Sequence, residues 1–152
     1  MSISVDSLAD LRSVAGADLG HTDWMEITQD RVNAFADAAD DHQWIHVDPE
    51  RARSGPFGQT IAHGYLTLSL LIPLFGELLV VEGVRTAVNY GLNKVRFPAP
   101  VPVGARIRLA GRLAEVTDVA DGGVQIVADF TVEVAGGSKP ACVAQAVYRF
   151  YP

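Results

Sequence analysis

The stretch that decides the fold is Gly64-Tyr-Leu-Thr-Leu-Ser-Leu-Leu-Ile-Pro-Leu-Phe-Gly-Glu-Leu-Leu79. Its side chains are apolar on nearly every side of a helix, so we expect other elements to enclose this helix. Pro73 lies inside it and predicts a kink or a break. The longer apolar run at 65–81 is interrupted by polar residues, a glycine and a proline. These interruptions favour a buried helix over a membrane span.

Beyond Gly83 the pattern changes from helical to alternating. Four long strands are predicted at 84–97, 106–116, 124–134 and 141–151, joined by turns rich in glycine and proline. Such strands bury one face and expose the other. One very hydrophobic helix and a long antiparallel sheet predict an α+β fold, with the sheet wrapped around the helix. No repeat, low-complexity tract or linker is present, so we expect residues 1–152 to form a single domain.

The N-terminal part predicts shorter elements. A short amphipathic helix is expected from about Val5 to Ala15, followed by a brief strand at 24–27. Thr28 is a suitable N-cap for a helix that runs to about Ala39. A turn of helix at 49–52 and a loop at 54–58 follow.

Composition disfavours several classes of function. The formal net charge is −6 and no Lys/Arg cluster stands out, which argues against binding to nucleic acid or to an anionic membrane. The single cysteine, Cys142, excludes an intramolecular disulfide, and its strand-like surroundings predict a buried side chain. The sequence does not open with a secretory signal pattern, so we expect a cytoplasmic protein.

A polar segment after the first long helix carries residues suited to catalysis. It reads Asp40-Asp-His-Gln-Trp-Ile-His-Val-Asp-Pro-Glu-Arg-Ala52. A carboxylate and an imidazole that converge, here Asp41 and His46, can share a water and move its protons. Trp44 and the following isoleucine are expected to pin this loop to the core. The alternative is that these are solvated loop residues.

A second polar cluster, Ile61-Ala-His-Gly64, opens the apolar helix. Gly64 would present a backbone N–H without an intrahelical partner, which suits a developing oxyanion such as an enolate. Alternatively, the glycine permits a tight turn. His63 is expected either to bond a backbone carbonyl or to take part in the site.

Other chemistries have less support. The acids and histidines suggest a metal site, but neither HExxH nor paired Cys/His spacing occurs, and we expect no bound metal. The sequence contains no phosphate-binding glycine loop and no Gly-x-Ser-x-Gly elbow. Nucleotide hydrolysis and serine-hydrolase chemistry are therefore disfavoured.

The polar segment resembles a known signature. Residues 39–46, with Ala52 six residues beyond His46, resemble the motif of the MaoC-like (R)-specific enoyl-CoA hydratases, also called hydratase 2. Residues 61–64 and 92–104 resemble two further landmarks of that family, in particular of its short mycobacterial-type 3-hydroxyacyl-thioester dehydratases. Three residues depart from the motif. They are Asp40 for glycine, Gln43 for asparagine and Trp44 for proline.

The resemblance implies a hotdog fold and a homodimer whose sheets join edge to edge, with acyl tunnels near the interface. It also implies reversible hydration of a trans-2-enoyl thioester to the (R)-3-hydroxyacyl thioester, without a cofactor. Asp41 and His46 would be the catalytic residues, and the Gly64 N–H would polarise the thioester carbonyl. The expected substrate-binding residues are Gln43, Trp44, Phe57 and His63.

Two other functions remain open on the same scaffold. A hotdog thioesterase would direct water to the thioester carbonyl, and a nodulation-protein-like module would bind acyl groups without turnover. In each case the expected partner is an acyl thioester of CoA or acyl carrier protein. Candidate cations for its anionic arm are Arg51, Arg53, Lys94 and Arg96.

Overall fold

The computed structural model describes residues 2–152. Its helices are a 3-10 helix (Leu8–Val14) and the α-helices α1 (Gln29–Ala39), α2 (Trp44–Val47), α3 (Pro49–Ala52), α4 (Gly64–Ser69) and α5 (Leu71–Leu78). Its strands are β1 (Ile3–Val5), β2 (Asp18–His21), β3 (Met25–Glu26), β4 (Leu79–Val81), β5 (Thr86–Arg96), β6 (Arg106–Asp118), β7 (Val124–Val134) and β8 (Cys142–Tyr151).

Six strands form one antiparallel sheet in the order β2-β6-β7-β8-β5, and β3 also pairs with β6. The α+β prediction is confirmed, and the four long predicted strands are all in this sheet. β1 and β4 form a separate parallel pair. Neither this pair nor β2 was predicted, because three or four residues are too few for alternation to show.

The apolar helix is divided into α4 and α5 at Leu70. The predicted break is confirmed, but it lies three residues before Pro73. Proline has no N–H for the carbonyl of Ser69, and its ring crowds that carbonyl, so Pro73 is best placed in the first turn of a new helix. α5 therefore starts two residues before the proline, at Leu71.

α5 packs on the inner face of the sheet through aromatic and aliphatic side chains. Phe75 meets Phe130 edge to face at 5.2 Å and stacks on Tyr148 at 5.5 Å between ring centroids. A Cβ added to Gly111 on β6 would lie 3.1 Å from Cδ1 of Leu78. Glycine at this position therefore lets the helix approach the strand closely.

The helix is not enclosed on every side, contrary to the prediction. Tyr65 on α4 is 72% exposed and Ile72 on α5 is 48% exposed. Both lie beside β5, an edge strand that itself exposes Val88, Tyr90 and Leu92. A cavity of about 360 Å³ opens between α5 and this strand. The exposed apolar surface is thus concentrated at one edge of the sheet.

The N-terminal elements differ in part from the prediction. The expected helix is a 3-10 helix, and Val5 belongs to β1. Thr28 is confirmed as the N-cap of α1, because its hydroxyl accepts a hydrogen bond from the Arg31 N–H at 3.2 Å. Among residues 2–152, no helix has the length and apolar character needed to cross a membrane.

Candidate active site

Asp40 sets the direction of the chain as it leaves α1. Its backbone is left-handed, with φ 55° and ψ 30°, and the N–H of Asp41 donates to the Ala36 carbonyl at 3.1 Å. This conformation closes a helix C-terminus and is easiest for glycine, while aspartate tolerates it better than most residues. The Asp40 side chain is exposed. Asp40 therefore adopts a glycine-like conformation at the position where the resembled motif has glycine.

His46 lies on α2, a short helix in place of the predicted loop. The Gln29 side chain of α1 donates from Nε2 to the His46 carbonyl at 2.7 Å. The hydroxyl of buried Thr60 donates to Oε1 of the same glutamine, also at 2.7 Å. α2 is thus attached to α1 through one glutamine. Gln29 and Thr60 were not predicted as site residues, because nothing in their local spacing connects them with His46.

The environment of His46 fixes which of its nitrogens carries the proton. The ring is 7% exposed, and Nδ1 lies 2.7 Å from the Ile61 carbonyl. A carbonyl only accepts, so Nδ1 is the donor and Nε2 keeps a lone pair in the neutral ring. Burial lowers the pKa of His46 from 6.5, and nearby His63 lowers it further, against the opposing effects of the Ile61 bond and Asp41. His46 is therefore a neutral base at pH 7.

Asp41, His46 and His63 converge at one place. A carboxylate oxygen of Asp41 and one nitrogen of each histidine lie within 4.8 Å of one another. Two hydrogen bonds of about 2.8 Å span such a distance, so one water can bridge Asp41 and His46.

The two histidine rings do not suit a shared metal ion. They stack with centroids 3.8 Å apart at 25°. Because imidazole lone pairs lie in the ring plane, nearly parallel stacked rings do not converge on one ion.

A cavity of about 260 Å³ brings His46 and Gly64 to the same space. Gly64 is the first residue of α4, and within residues 2–152 its N–H donates to no acceptor. A Cβ added there would lie 3.3 Å from the Phe97 ring, so that ring covers the glycine. The cavity thus holds an imidazole base and an unpaired backbone donor.

Comparison with known proteins shows the family of this chain. Residues 10–135 match the model of the MaoC like domain. The chain belongs to the MaoC-like dehydratase family. It is 58% identical to 3-hydroxyacyl-thioester dehydratase Z of Mycobacterium tuberculosis (strain ATCC 25618 / H37Rv), over 95% of this chain and 96% of that protein. It is also 42% identical to nodulation protein N of Rhizobium leguminosarum bv. viciae, over 91% of this chain and 87% of that one.

Among solved structures, the MaoC-like chain resembles the (R)-hydratase from A. caviae involved in PHA biosynthesis. The TM-score is 0.73 at 24% identity, over 91% of this chain and 96% of that one. This likeness concerns the fold, and the predicted hotdog fold is confirmed. The family assignment from the sequence motif is confirmed as well.

Not every other predicted site residue lines this cavity, and Asp41 is among those that do not. Phe57 lines it and is 44% exposed. Gln43 is exposed, and Trp44 is half-buried. The Arg51 guanidinium lies over the Trp44 ring, with its Cζ 4.4 Å from the ring centroid. Neither Gln43 nor Trp44 lines the cavity, and buried His63 lies behind the ring of His46. Their roles in the site remain predictions.

Thr67 and Phe97 are among the residues that line the cavity but were not predicted as site residues. Thr67 follows Gly64 by one helical turn and is buried. Phe97 directly follows β5 and is 43% exposed. The helical periodicity from Gly64 would have indicated Thr67, because residues three apart share a face.

Proposed function

We propose that this chain catalyses the reversible hydration of a trans-2-enoyl thioester to the (R)-3-hydroxyacyl thioester. The proposal rests on the position of His46, which lies near the Asp41 carboxylate and lines a cavity together with Gly64. The carboxylate and the imidazole lie close enough to hold one water. The imidazole also shares a cavity with an unpaired backbone N–H. The 58% identity to a protein named 3-hydroxyacyl-thioester dehydratase Z supports the same activity.

In this mechanism the Asp41–His46 pair holds water over Cβ of the enoyl group. The water oxygen bonds to Cβ while the lone pair on Nε2 of His46 accepts a water proton. The Cα–Cβ double bond becomes a single bond, and electron density shifts to the thioester oxygen as enolate character. The Gly64 N–H stabilises that oxygen. The pair then delivers a proton to Cα, so water is added without another reactant.

The acyl chain fits the apolar surface beside α5. The cavity of about 360 Å³ there is lined by α5, β5 and two aromatic residues of β8, Tyr148 and Phe150. α4 connects this cavity with the catalytic cavity, because its first residue, Gly64, lines the catalytic cavity. The next residue, Tyr65, lines a groove that shares Ile72 and Tyr148 with the cavity beside α5. An apolar tail placed here would leave the thioester near Gly64.

A homodimer would cover this exposed edge. Within residues 2–152, β5 pairs only with β8 and leaves its other side free along 11 residues. A long exposed edge with apolar side chains is a site for pairing with another strand. Two copies joined along β5 would complete the sheet and cover Leu92 and Ile72, which are 40% and 48% exposed. We also propose that residues 1–152 are a single domain, since one apolar core extends from Val5 to Phe150.

Light scattering tests the dimer. The native chain should have a mass near twice 16.3 kDa. Leu92→Lys should be monomeric, because a charge on the edge disfavours pairing, whereas Thr117→Lys on the exposed part of β6 should leave the dimer intact. A monomeric native chain, or a dimeric Leu92→Lys variant, would refute this interface.

The thioester carrier remains a proposal at the level of CoA or acyl carrier protein. Arg96 directly precedes Phe97, which lines the catalytic cavity, so it is well placed for an anionic arm. Arg51 is less suitable, because it stacks on Trp44. The cytoplasmic location is likewise a prediction, which microscopy of a tagged chain would test.

The activity is tested by incubating the chain with crotonyl-CoA and following the loss of enoyl absorbance. A stereospecific dehydrogenase then identifies the (R)-3-hydroxyacyl product. Asp41→Asn and His46→Gln should each reduce turnover by about 100-fold or more, the scale of general acid–base catalysis. Turnover that survives both changes would contradict the proposed roles.

A saturated acyl-CoA distinguishes hydration from thioester hydrolysis. A thioesterase would release CoA thiol from it, and a hydratase would not. The protein contributes no background to such a thiol assay while folded, because Cys142 is fully buried and burial raises its pKa to about 11. Release of thiol without hydration of crotonyl-CoA would overturn the proposal.

A further inference from the structure

We propose that His63 is a positioning residue that keeps Asp41 and His46 in fixed positions relative to Gly64. This inference rests on the proposed function, in which those three residues perform the reaction. It assigns to His63 no contact with substrate, unlike the expectation from sequence. The geometry that supports it is a set of contacts from one ring to two separate parts of the site.

The first contact is a hydrogen bond to the backbone of Asp41. Nε2 of His63 lies 2.9 Å from the Asp41 carbonyl and 3.9 Å from Oδ2 of the same residue. Because the carbonyl can only accept, Nε2 carries the proton. The Asp41 side chain is half exposed. The Asp41 N–H is bonded to the Ala36 carbonyl at the end of α1, and the His63 bond holds the Asp41 carbonyl.

The second contact is the stack on His46. The ring centroids lie 3.8 Å apart, and the His63 ring also packs against Phe35, with 4.9 Å between centroids. His46 is thus placed between its bond to Ile61 and the face of His63. The stack limits tilting of the catalytic ring, while the Ile61 bond limits its rotation.

The third connection is through the backbone. His63 directly precedes Gly64, and its carbonyl accepts from the N–H groups of Leu66 and Thr67 at 3.1 and 3.2 Å. His63, which donates a hydrogen bond to Asp41, is therefore part of the same turn that presents the Gly64 N–H. Movement of this turn would displace the amide and the carboxylate together, which preserves their separation.

A role in packing alone does not explain the choice of histidine. His63 is 2% exposed, and its Nδ1 has no hydrogen-bond partner in the described part of the chain. Burying an unpaired nitrogen is unfavourable, and an apolar ring would fill the same space without that cost. The N–H on the other side of the ring is what an apolar ring lacks. That N–H is used on a residue of the site.

Four variants of the full chain separate the contributions of His63. His63→Phe keeps a ring against His46 and removes the donor. His63→Gln keeps a donor at the reach of Nε2, while His63→Asn carries the same amide too far back to reach Asp41. His42→Gln is the matched control, because His42 is exposed and pairs with Asp37.

We expect His63→Phe and His63→Asn to reduce kcat by about 10- to 100-fold, the effect of a misplacement near 1 Å. KM should change by less than about 3-fold, because no residue that lines the cavity is altered. The thermal midpoints of His63→Gln and His63→Asn should fall by similar amounts, because both replace a buried ring with a smaller amide side chain. His63→Gln should recover most of the lost turnover, and His42→Gln should match the native chain. If His63→Phe does not fold, the Asn and Gln pair still gives the comparison.

Several results would overturn the proposal. Native kcat in both His63→Phe and His63→Asn would show that positioning by His63 is unnecessary. A rise in KM alone would indicate substrate contact, and equal loss in Gln and Asn variants together with lowered thermal midpoints would indicate a role in folding only.

Crystal structures of the same variants give a readout that does not depend on activity. The Asp41 carboxylate should move away from the His46 ring by about 1 Å or more in His63→Asn and remain in place in His63→Gln. If the native chain does not hydrate enoyl thioesters, the proposed function fails, and these structures still decide the positioning role. An unmoved Asp41 in His63→Asn would refute it.

Discussion

Removal of the Gly64 N–H is the most direct test of the proposed oxyanion site. Gly64→Pro deletes this N–H while keeping the helix, because proline is favoured at the first position of a helix. The preceding residue, His63, has φ −60° and ψ 138°, the conformation that proline requires of its predecessor. The Cβ of a proline at position 64 would lie 3.3 Å from the Phe97 ring. That ring is 43% exposed and can move away.

Gly64→Ala is the matched control, since it adds the same Cβ and retains the N–H. Slight overpacking against Phe97 should cost about 1 kcal/mol, so turnover of crotonyl-CoA should fall by less than about 10-fold. Loss of one oxyanion donor costs about 100- to 1,000-fold in kcat. Gly64→Pro should therefore be at least about 100-fold slower than Gly64→Ala.

The proline ring also occupies the place of the amide hydrogen, so a second variant separates sterics from hydrogen bonding. Lactate at position 64, incorporated by nonsense suppression, replaces the N–H with an ester oxygen and has the shape of alanine. It should lose about 100-fold or more in kcat relative to Gly64→Ala, with KM little changed. Turnover within about 3-fold of Gly64→Ala would refute the assignment of Gly64.

Two further predictions concern His46 and Asp40. In the folded chain the pKa of His46 is lowered below 6.5, so the unfolded chain binds a proton at this residue first as the pH falls. The contribution of His46 to the free energy of unfolding is therefore present above pH 6.5 and is lost below it. Urea unfolding at a series of pH values should show that the free energy of unfolding falls less steeply below pH 6.5 in His46→Gln than in the native chain. Equal slopes in the two chains would contradict this. Asp40→Gly should raise the free energy of unfolding by up to about 1 kcal/mol without changing kcat, because glycine adopts the left-handed conformation without strain. A destabilised Asp40→Gly variant in the same unfolding assay would contradict that account.

Much of the fold was predictable because its main elements carry strong periodic patterns. β7 has the predicted bounds, 124–134, since its alternation begins and ends at glycine-rich turns. The helix break followed from Pro73, a residue whose effect on backbone hydrogen bonds is fixed by its structure. β2 was missed because it is only four residues long, too short to show an alternating pattern, and its pairing with β6 is not visible in the local sequence. The exposed flank of α4 and α5 was missed because an apolar pattern does not specify whether a sheet or a second chain covers it.

The candidate site was predictable where it is local in sequence. Asp41 and His46 are five residues apart, and the turn at Asp40 together with α2 brings their side chains near one another. Gly64 was predictable from the start of the apolar helix. Phe97 lies 33 positions further along, and only the sheet brings it over the glycine.

The contacts that hold the site together follow a different rule. Gln29 reaches the carbonyl of His46, and His63 reaches the carbonyl of Asp41, across 17 and 22 residues respectively. Every residue supplies a backbone carbonyl, so neither contact depends on the identity of the accepting side chain. No spacing of residue types can therefore predict them, although their donors can be changed one at a time. Because these two donors bind the backbones of Asp41 and His46, changes to them should act on geometry and turnover while the proposed catalytic side chains remain intact.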